Sequence, residues 1–211
     1  VSSNYSQKLA RLSFLAAQSE QEYAKDKLIG AKLGRSVPVR HKCFISYHGA
    51  DIDAVTDFVE EFSDIFIPRV IGVSDSDHFE DPIDSSDEEY IKGRIGSKYL
   101  ADSTVTILFL GACTWSRKYV DWELSSSLRH GAVNKRNGLM AITPADRSLH
   151  RLPERFADNF SSINSSYAAY YYYPRTASDL REWIEDGFQA RTARSHLIDN
   201  SGALQRRNYP C

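Results

Sequence analysis

The densest cluster of chemically capable side chains runs Thr114-Trp115-Ser116-Arg117-Lys118-Tyr119-Val120-Asp121-Trp122-Glu123. Read as one helix, Ser116, Tyr119 and Glu123 stand at offsets 0, 3 and 7 and share a face, with Trp115 flanking it. A carboxylate beside two aromatic rings and a hydroxyl suits an ADP-ribose-like ligand. Rings stack on a flat base, and a carboxylate accepts hydrogen bonds from vicinal ribose hydroxyls. The same carboxylate can stabilise an oxocarbenium-like centre as a glycosidic bond breaks. A blander reading stands beside it: aromatics on a sheet-facing helix are usually core, and a lone Glu is usually solvated.

Other chemistries find less support. The chain has no Gly-x-x-x-x-Gly-Lys-Ser/Thr phosphate loop, no Gly-x-Gly-x-x-Gly fingerprint after its first strand and no Gly-x-Ser-x-Gly elbow. No His pair has zinc-ligand spacing, so no metal site is expected. A phosphorylatable Asp would be needed at the end of the third strand, but that strand ends Leu110-Gly111-Ala112. The stretch Asp75–Glu89 carries 8 acids and no Lys or Arg. It lacks calcium-loop spacing and reads as a solvated loop.

The elements that must position the cluster alternate. Strands are expected at Lys42–Tyr47, Arg69–Val73, Thr104–Leu110, Leu139–Thr143 and the Tyr-rich Tyr167–Tyr173. Between them, Asp51–Phe66 is a one-faced amphipathic helix. Ser86–Glu89 forms a capping box opening a helix through Ile91, Ile95 and Tyr99. Ser116 is expected to cap a helix to about His130. Ala145–Ser165 reads as irregular or short helix. A last helix spans Ser178–Arg191, N-capped by Ser178 or Thr176. This alternation predicts an α/β fold: a five-stranded parallel, flavodoxin-like sheet of order 2-1-3-4-5 with helices on both faces. Ligands bind such sheets beyond the strand carboxyl ends, near the switch between strands 1 and 3. That brings together Ser46–Asp51, Val73–Asp84 and Gly111–Glu123.

Composition sets the outer bounds. The 211 residues are 42% hydrophobic and 26% charged, enough to bury a core. The net charge of −2 argues against a nucleic-acid binder held by bulk positive charge. It is segregated: +5 over residues 1–42, −10 over 43–134 and +3 over 135–211. Three cysteines, Cys43, Cys113 and Cys211, are far apart in sequence, so neither a disulfide framework nor a zinc site is expected. With no membrane-length apolar run and no signal-peptide pattern, a reducing cytoplasm is the expected setting. Residues 1–41 read as a peripheral N-terminal helical arm, either packed on the domain or serving oligomerisation. Residues 42–192 form the domain, and 193–211 form a polar, loosely ordered tail.

At these residues a family emerges. The stretch from Lys42 to about His130 resembles Toll/interleukin-receptor (TIR) domains. It looks closest to the TIR-like branch that serves as sensor subunit in Thoeris antiphage systems. Lys42-Cys43-Phe44-Ile45-Ser46-Tyr47-His48 looks like the family's opening strand. Asp102–Ile107 and Trp115–Leu124 look like its third strand and following helix, and the likeness extends to about residue 185. The resemblance implies the flavodoxin-like TIR fold. It also implies cleavage of the nicotinamide–ribose bond of NAD+, with NAD+ as substrate and no cofactor, and in some members cyclisation of the ADP-ribose. In Thoeris that product activates a separate effector. Glu123 matches the family's catalytic Glu. Tyr119 stands where many members have Trp, and still offers a ring. The loop after strand 2 lacks the Pro-Gly turn of many members.

The enzyme reading places Ser46, Tyr47 and His48 on one substrate wall and Trp115, Ser116 and Tyr119 on the other. Its expected partners are NAD+, a phage-derived protein trigger and an effector reached through a diffusible nucleotide, with neither nucleic acid nor membrane. The competing readings are a non-catalytic TIR-like interaction module and, more weakly, a transferase acting on free nucleotides. The basic arm is expected to dock on the acidic block of a neighbouring subunit, holding the enzyme inactive or in a defined homo-oligomer.

Overall fold

A computed structural model describes residues 2–70, 100, 102–131, 135–146 and 148–211. The expected Val73–Asp84 loop, the Ser86–Glu89 capping box and the helix through Ile91, Ile95 and Tyr99 lie outside the described residues. The chain forms α1 (Ser2–Leu33), β1 (Lys42–Ser46), α2 (Ile52–Phe62), β2 (Ile67–Val70) and β3 (Val105–Phe109). It continues through α3 (Lys118–Leu128), β4 (Gly138–Ile142), α4 (Glu154–Asp158), β5 (Ala169–Tyr171) and α5 (Ala177–Ala193). The five strands pair in parallel in the order β2-β1-β3-β4-β5, as the alternation predicts.

Strand parity sorts the core. Cys43 and Ile45 of β1, Val105, Ile107 and Phe109 of β3, and Met140 and Ile142 of β4 pack with α1, α2 and α5. Their alternates Leu108, Leu139 and Ala141 pack with α3 and α4. Every residue of β3 and β4 is buried, so both read as continuous apolar runs rather than alternating ones. α2 buries Ile52, Val55, Phe58, Val59 and Phe62, the face expected from the spacing. It stops at Phe62, four residues short of the sequence expectation. Ile65 and Phe66 are still buried, but on the way into β2. β2 accommodates Pro68 because it is an edge strand.

The arm is not peripheral. α1 is one continuous helix through Gly30, and its Leu12 is fully buried in the core. It ends at Gly34, whose φ of +63° suits glycine. There the Arg35 N–H reaches the Gly30 carbonyl at 2.8 Å and the Gly34 N–H the Ala31 carbonyl at 3.4 Å. α1 runs alongside α2 in the same direction. Lys8 pairs with Asp53 at 2.6 Å, Arg11 pairs with Glu60, and the Ser19 hydroxyl donates to the Ser63 carbonyl at 2.6 Å. The arm's positive charge therefore meets the acidic block of its own chain. At the other end Arg69 and Lys42 share Glu20 and Asp102, tying α1, β1, β2 and the entrance of β3 together.

Residues 199–211 are ordered rather than loose, and lie along α3. Arg155 of α4 is the hub, 4% exposed in its side chain. It donates to Asp121 of α3 at 2.7 Å, to the Asn200 side chain at 2.8 Å, and to the Gly202 and Ala203 carbonyls at 3.1 Å. Gln205 N–H donates to the Asp121 carboxylate, and the Trp122 indole N–H donates to the Gln205 carbonyl. At its end, Cys211 forms a disulfide with Cys113, 98 residues earlier, with Cα atoms 5.5 Å apart. This corrects the expectation of no disulfide: separation along the chain says nothing of separation in space once the segment folds back. Cys43 stays free and buried. Among the described residues no helix is long and apolar enough to cross a membrane.

Three outcomes test this architecture. A Cβ on Gly138 would fall 1.8 Å from the Gly187 carbonyl oxygen of α5. Gly138→Ala is expected to cost about 3 kcal/mol in chemical denaturation, since helix and strand backbones must part. Arg155→Met leaves the Asp121 carboxylate buried without its counter-charge. It should cost about 3–5 kcal/mol, with partial recovery when Asp121→Leu is added. Hydrogen bonding from Arg69, chiefly, holds the Asp102 carboxyl down at about 2, below its usual 3.8. Its contribution is complete above the unfolded value and fades as pH falls from about 4 through about 2. Stability of Asp102→Asn, measured by urea melts, should therefore fall less steeply than wild type across that window.

Candidate active site

The site forms where β1 and β3 end. β1 is flanked by β2 on one side and β3 on the other, so the connections leaving β1 and β3 diverge, which is the switch point where sheets of this order hold their ligands. Parity turns Ser46, the last residue of β1, toward α3. There its hydroxyl donates to the Glu123 carboxylate at 2.5 Å. Ser46 is fully buried and Glu123 is 7% exposed.

α3 carries Glu123 to this point through an unusual helix. Its buried residues include Asp121, Glu123, Ser125, Ser126 and Ser127 as well as Val120, Trp122, Leu124 and Leu128. The small serines allow close approach to the sheet. The Ser127 and Thr106 hydroxyls lie 2.7 Å apart, and Thr106 also accepts from the Asn137 side chain at 3.1 Å. Buried polar groups of this kind are most often paired, but the Ser125 and Ser126 hydroxyls and the Asn137 side-chain oxygen find no partner among the described residues. The helix start also departs from expectation. Thr114–Ser116 is a turn of 3-10 helix, Arg117 is extended, and α3 begins at Lys118. Ser116 is thus not the N-cap, and the shared face counted from it is interrupted at Arg117. Its hydroxyl instead donates to the Cys113 carbonyl at 2.8 Å. The capping role passes to Asn208, whose side-chain oxygen accepts from Lys118 N–H at 2.9 Å.

The remaining expected residues take different places. Tyr47 turns to the opposite face from Ser46 and packs against the α1–α2 core. Burial, the nearby Tyr5 phenol and the Glu123 charge all push the Tyr47 hydroxyl upward. His48 is 8% exposed, and its carbonyl accepts from Asp51 N–H, opening the Gly49–Asp51 turn. Ser46, Tyr47 and His48 therefore do not form a single wall. Tyr119, four residues before Glu123 on α3, sits edge-on to Trp122 with ring centroids 5.1 Å apart, and Lys118 lies over both rings. Trp115 is stacked with Tyr209, and Arg151 lies 3.9 Å from its ring centroid.

Four residues near the site were not singled out from the sequence. Asp51 accepts from the Thr114 hydroxyl at 3.4 Å and lies against Gly111, where a Cβ would fall 2.1 Å from its carboxylate. Burial pushes its carboxyl upward, opposed by the charges of His48, His150 and Arg117. Tyr5 arrives from the start of α1, Arg151 from the segment after β4, and Tyr209 from the 199–211 segment. The last three have no local motif, since each is brought in by packing from a distant part of the chain, whereas Asp51 lay in the Ser46–Asp51 segment without being picked out. The one signal in the sequence was Gly111 directly after a buried strand, which marks a close approach without naming its partner.

The arrangement can present a buried carboxylate, oriented by a hydroxyl, to a ligand entering from the strand ends. The Tyr119 ring stands on the same helix four residues before Glu123. Comparison with known proteins bears on what family uses such a frame. No curated protein matches the chain. The family described as Thoeris protein ThsB, TIR-like domain, matches residues 44–149, which run from β1 past β4 and take in Ser46, Glu123 and all of α3. That span is just over half of the 211 residues, and with the β2-β1-β3-β4-β5 sheet it establishes that the chain belongs to the TIR-like domain family of Thoeris protein ThsB.

Proposed function

We propose that this chain is an antiphage-defence TIR enzyme that cleaves the nicotinamide–ribose bond of NAD+ and cyclises the product to a cyclic ADP-ribose signal for a separate effector. The observation that carries this reading is the buried Glu123 carboxylate held by Ser46 at the carboxyl ends of β1 and β3. Glu123 accepts hydrogen bonds from the diol of the nicotinamide-side ribose and stabilises the positive charge that develops at the anomeric carbon. Nicotinamide leaves as a neutral molecule. Ser46 fixes the carboxylate's orientation, so the ribose meets a pre-set acceptor. His48, Trp115 and Tyr119 line the approach, with the Ser116 turn setting where Trp115 stands, while Tyr47 backs the site from the α1–α2 core. Arg151 beside Trp115 supplies positive charge for the diphosphate. A nucleophile from the same ADP-ribose closes the ring when water is kept out. A phage-derived protein triggers turnover, and the setting is the cytoplasm.

The test is nicotinamide release from NAD+ by purified protein in the presence of phage lysate or an activating capsid protein. Glu123→Gln is expected to lower release about 100-fold or more, because the charge aimed at the transition state is gone. Ser46→Ala should lower it about tenfold while leaving the fold intact, since only orientation is lost. Mass spectrometry of the product should show loss of nicotinamide without gain of water. Undiminished release by Glu123→Gln rejects the enzyme reading in favour of a non-catalytic interaction module.

A further inference from the structure

The 199–211 segment divides into two parts held by different means. Residues 199–205 are locked by the buried Arg155 hub, by reciprocal hydrogen bonds between Asn159 and Asp199, and by the buried Leu204. Residues 206–211 are largely exposed. Their attachments to the first turn of α3 and the turn before it are the Lys118 N–H to Asn208 hydrogen bond, the Tyr209 N–H to Ser116 carbonyl hydrogen bond at 2.9 Å, the Tyr209–Trp115 stack and the Cys113–Cys211 disulfide. Three hydrogen bonds, counting that from the Gln205 side chain to the Arg207 carbonyl at 2.7 Å, and one ring contact are set against the entropy of ordering residues 206–211, which exceeds them. The covalent bond removes most of that entropy cost by tying the end down.

We propose that Cys113–Cys211 is a redox latch: closed, it straps residues 206–211 over Trp115 and the N-terminus of α3; opened by a dithiol reductant, it releases them. In the exchange, a reductant thiolate attacks the exposed Cys211 sulfur. The S–S bond breaks, and Cys113 leaves as a thiolate and takes a proton. The reductant's second thiol then displaces Cys211 as a thiol, so the reductant ends as its disulfide and two cysteine thiols are formed. Release removes the Asn208 cap from Lys118, five residues before Glu123 on the same helix, and frees Trp115 from Tyr209. The latch thereby sets the site in two states. That consequence for turnover rests on the NAD+ reading, whereas the release itself does not.

The test uses the full chain purified without reductant. Labelling thiols after denaturation should mark Cys43 alone, and after reduction Cys113 and Cys211 as well. Hydrogen exchange at the Lys118 and Tyr209 amides should quicken about tenfold or more on reduction, while the Gln205 amide keeps its protection. Cys211→Ser should show the fast pattern without reductant and no further change with it. Labelling of all three cysteines in the unreduced protein, or equal exchange at Lys118 and Tyr209 in both redox states, overturns the latch. Neither readout needs substrate, so they decide the latch even where Glu123 turns over no NAD+.

Discussion

Parallel pairing of β1 with β3 is the constraint on which the candidate site depends. Cys43 lies beside Val105 and Ser46 beside Leu108, and the two-residue period of a strand then leaves no choice of face. With Cys43 and Ile45 committed to the α1–α2 side, Ser46 must face α3, where Glu123 waits. A one-residue slip in register would turn Ser46 away and bring Ile45 to the carboxylate. The apolar parity of the core and the polar geometry of the site are therefore one constraint. Substituting core residues can disturb the site without touching it.

A second dependence runs through α3. This helix buries charged and hydroxyl groups on several sides, so its position cannot rest on apolar packing alone. On its inner side Thr106 links the Ser127 hydroxyl and the Asn137 amide against β3 and β4. On its outer side Asp121 is paired with Arg155, which also holds the 199–205 segment. The N-terminal turn is capped by Asn208, ninety residues away in sequence. Glu123 is held between these two polar frameworks, one belonging to the sheet and the other to residues that lie beyond the family match at 44–149.

Much of the fold was legible in the sequence because the signals were local. The short apolar runs Lys42–Tyr47 and Thr104–Leu110, bounded by turn residues and alternating with helices, read as buried strands. The spacing of Ile52, Val55, Phe58, Val59 and Phe62 could only be a one-faced helix. Of the two N-cap candidates, Ser178 and Thr176, the structure uses Thr176, which exchanges reciprocal bonds with Asp179. Misreadings came where the partner was distant. Ser116 has the composition of a cap, yet its carbonyl is taken by Tyr209 and Gln205, and this holds it in a 3-10 turn. The arm's charge was visible, but that it pairs within the same chain depends on α1 lying along α2. Cys113 and Cys211 looked unrelated for the same reason.

The sequence by itself determined the strand and helix alternation, hence the parallel sheet and its order, and the presence of Glu123 on the helix after the third strand. Those features follow from hydrophobic periodicity, which any short window of chain displays. Only the tertiary structure decided that Ser46 meets Glu123, that Tyr47 turns instead toward α1, that Arg155 joins α3 to residues 199–205, and that Cys211 returns to Cys113. Each of these is a contact between residues distant in sequence. Its existence depends on the register of the sheet and the path of the chain around it, and no local pattern encodes either.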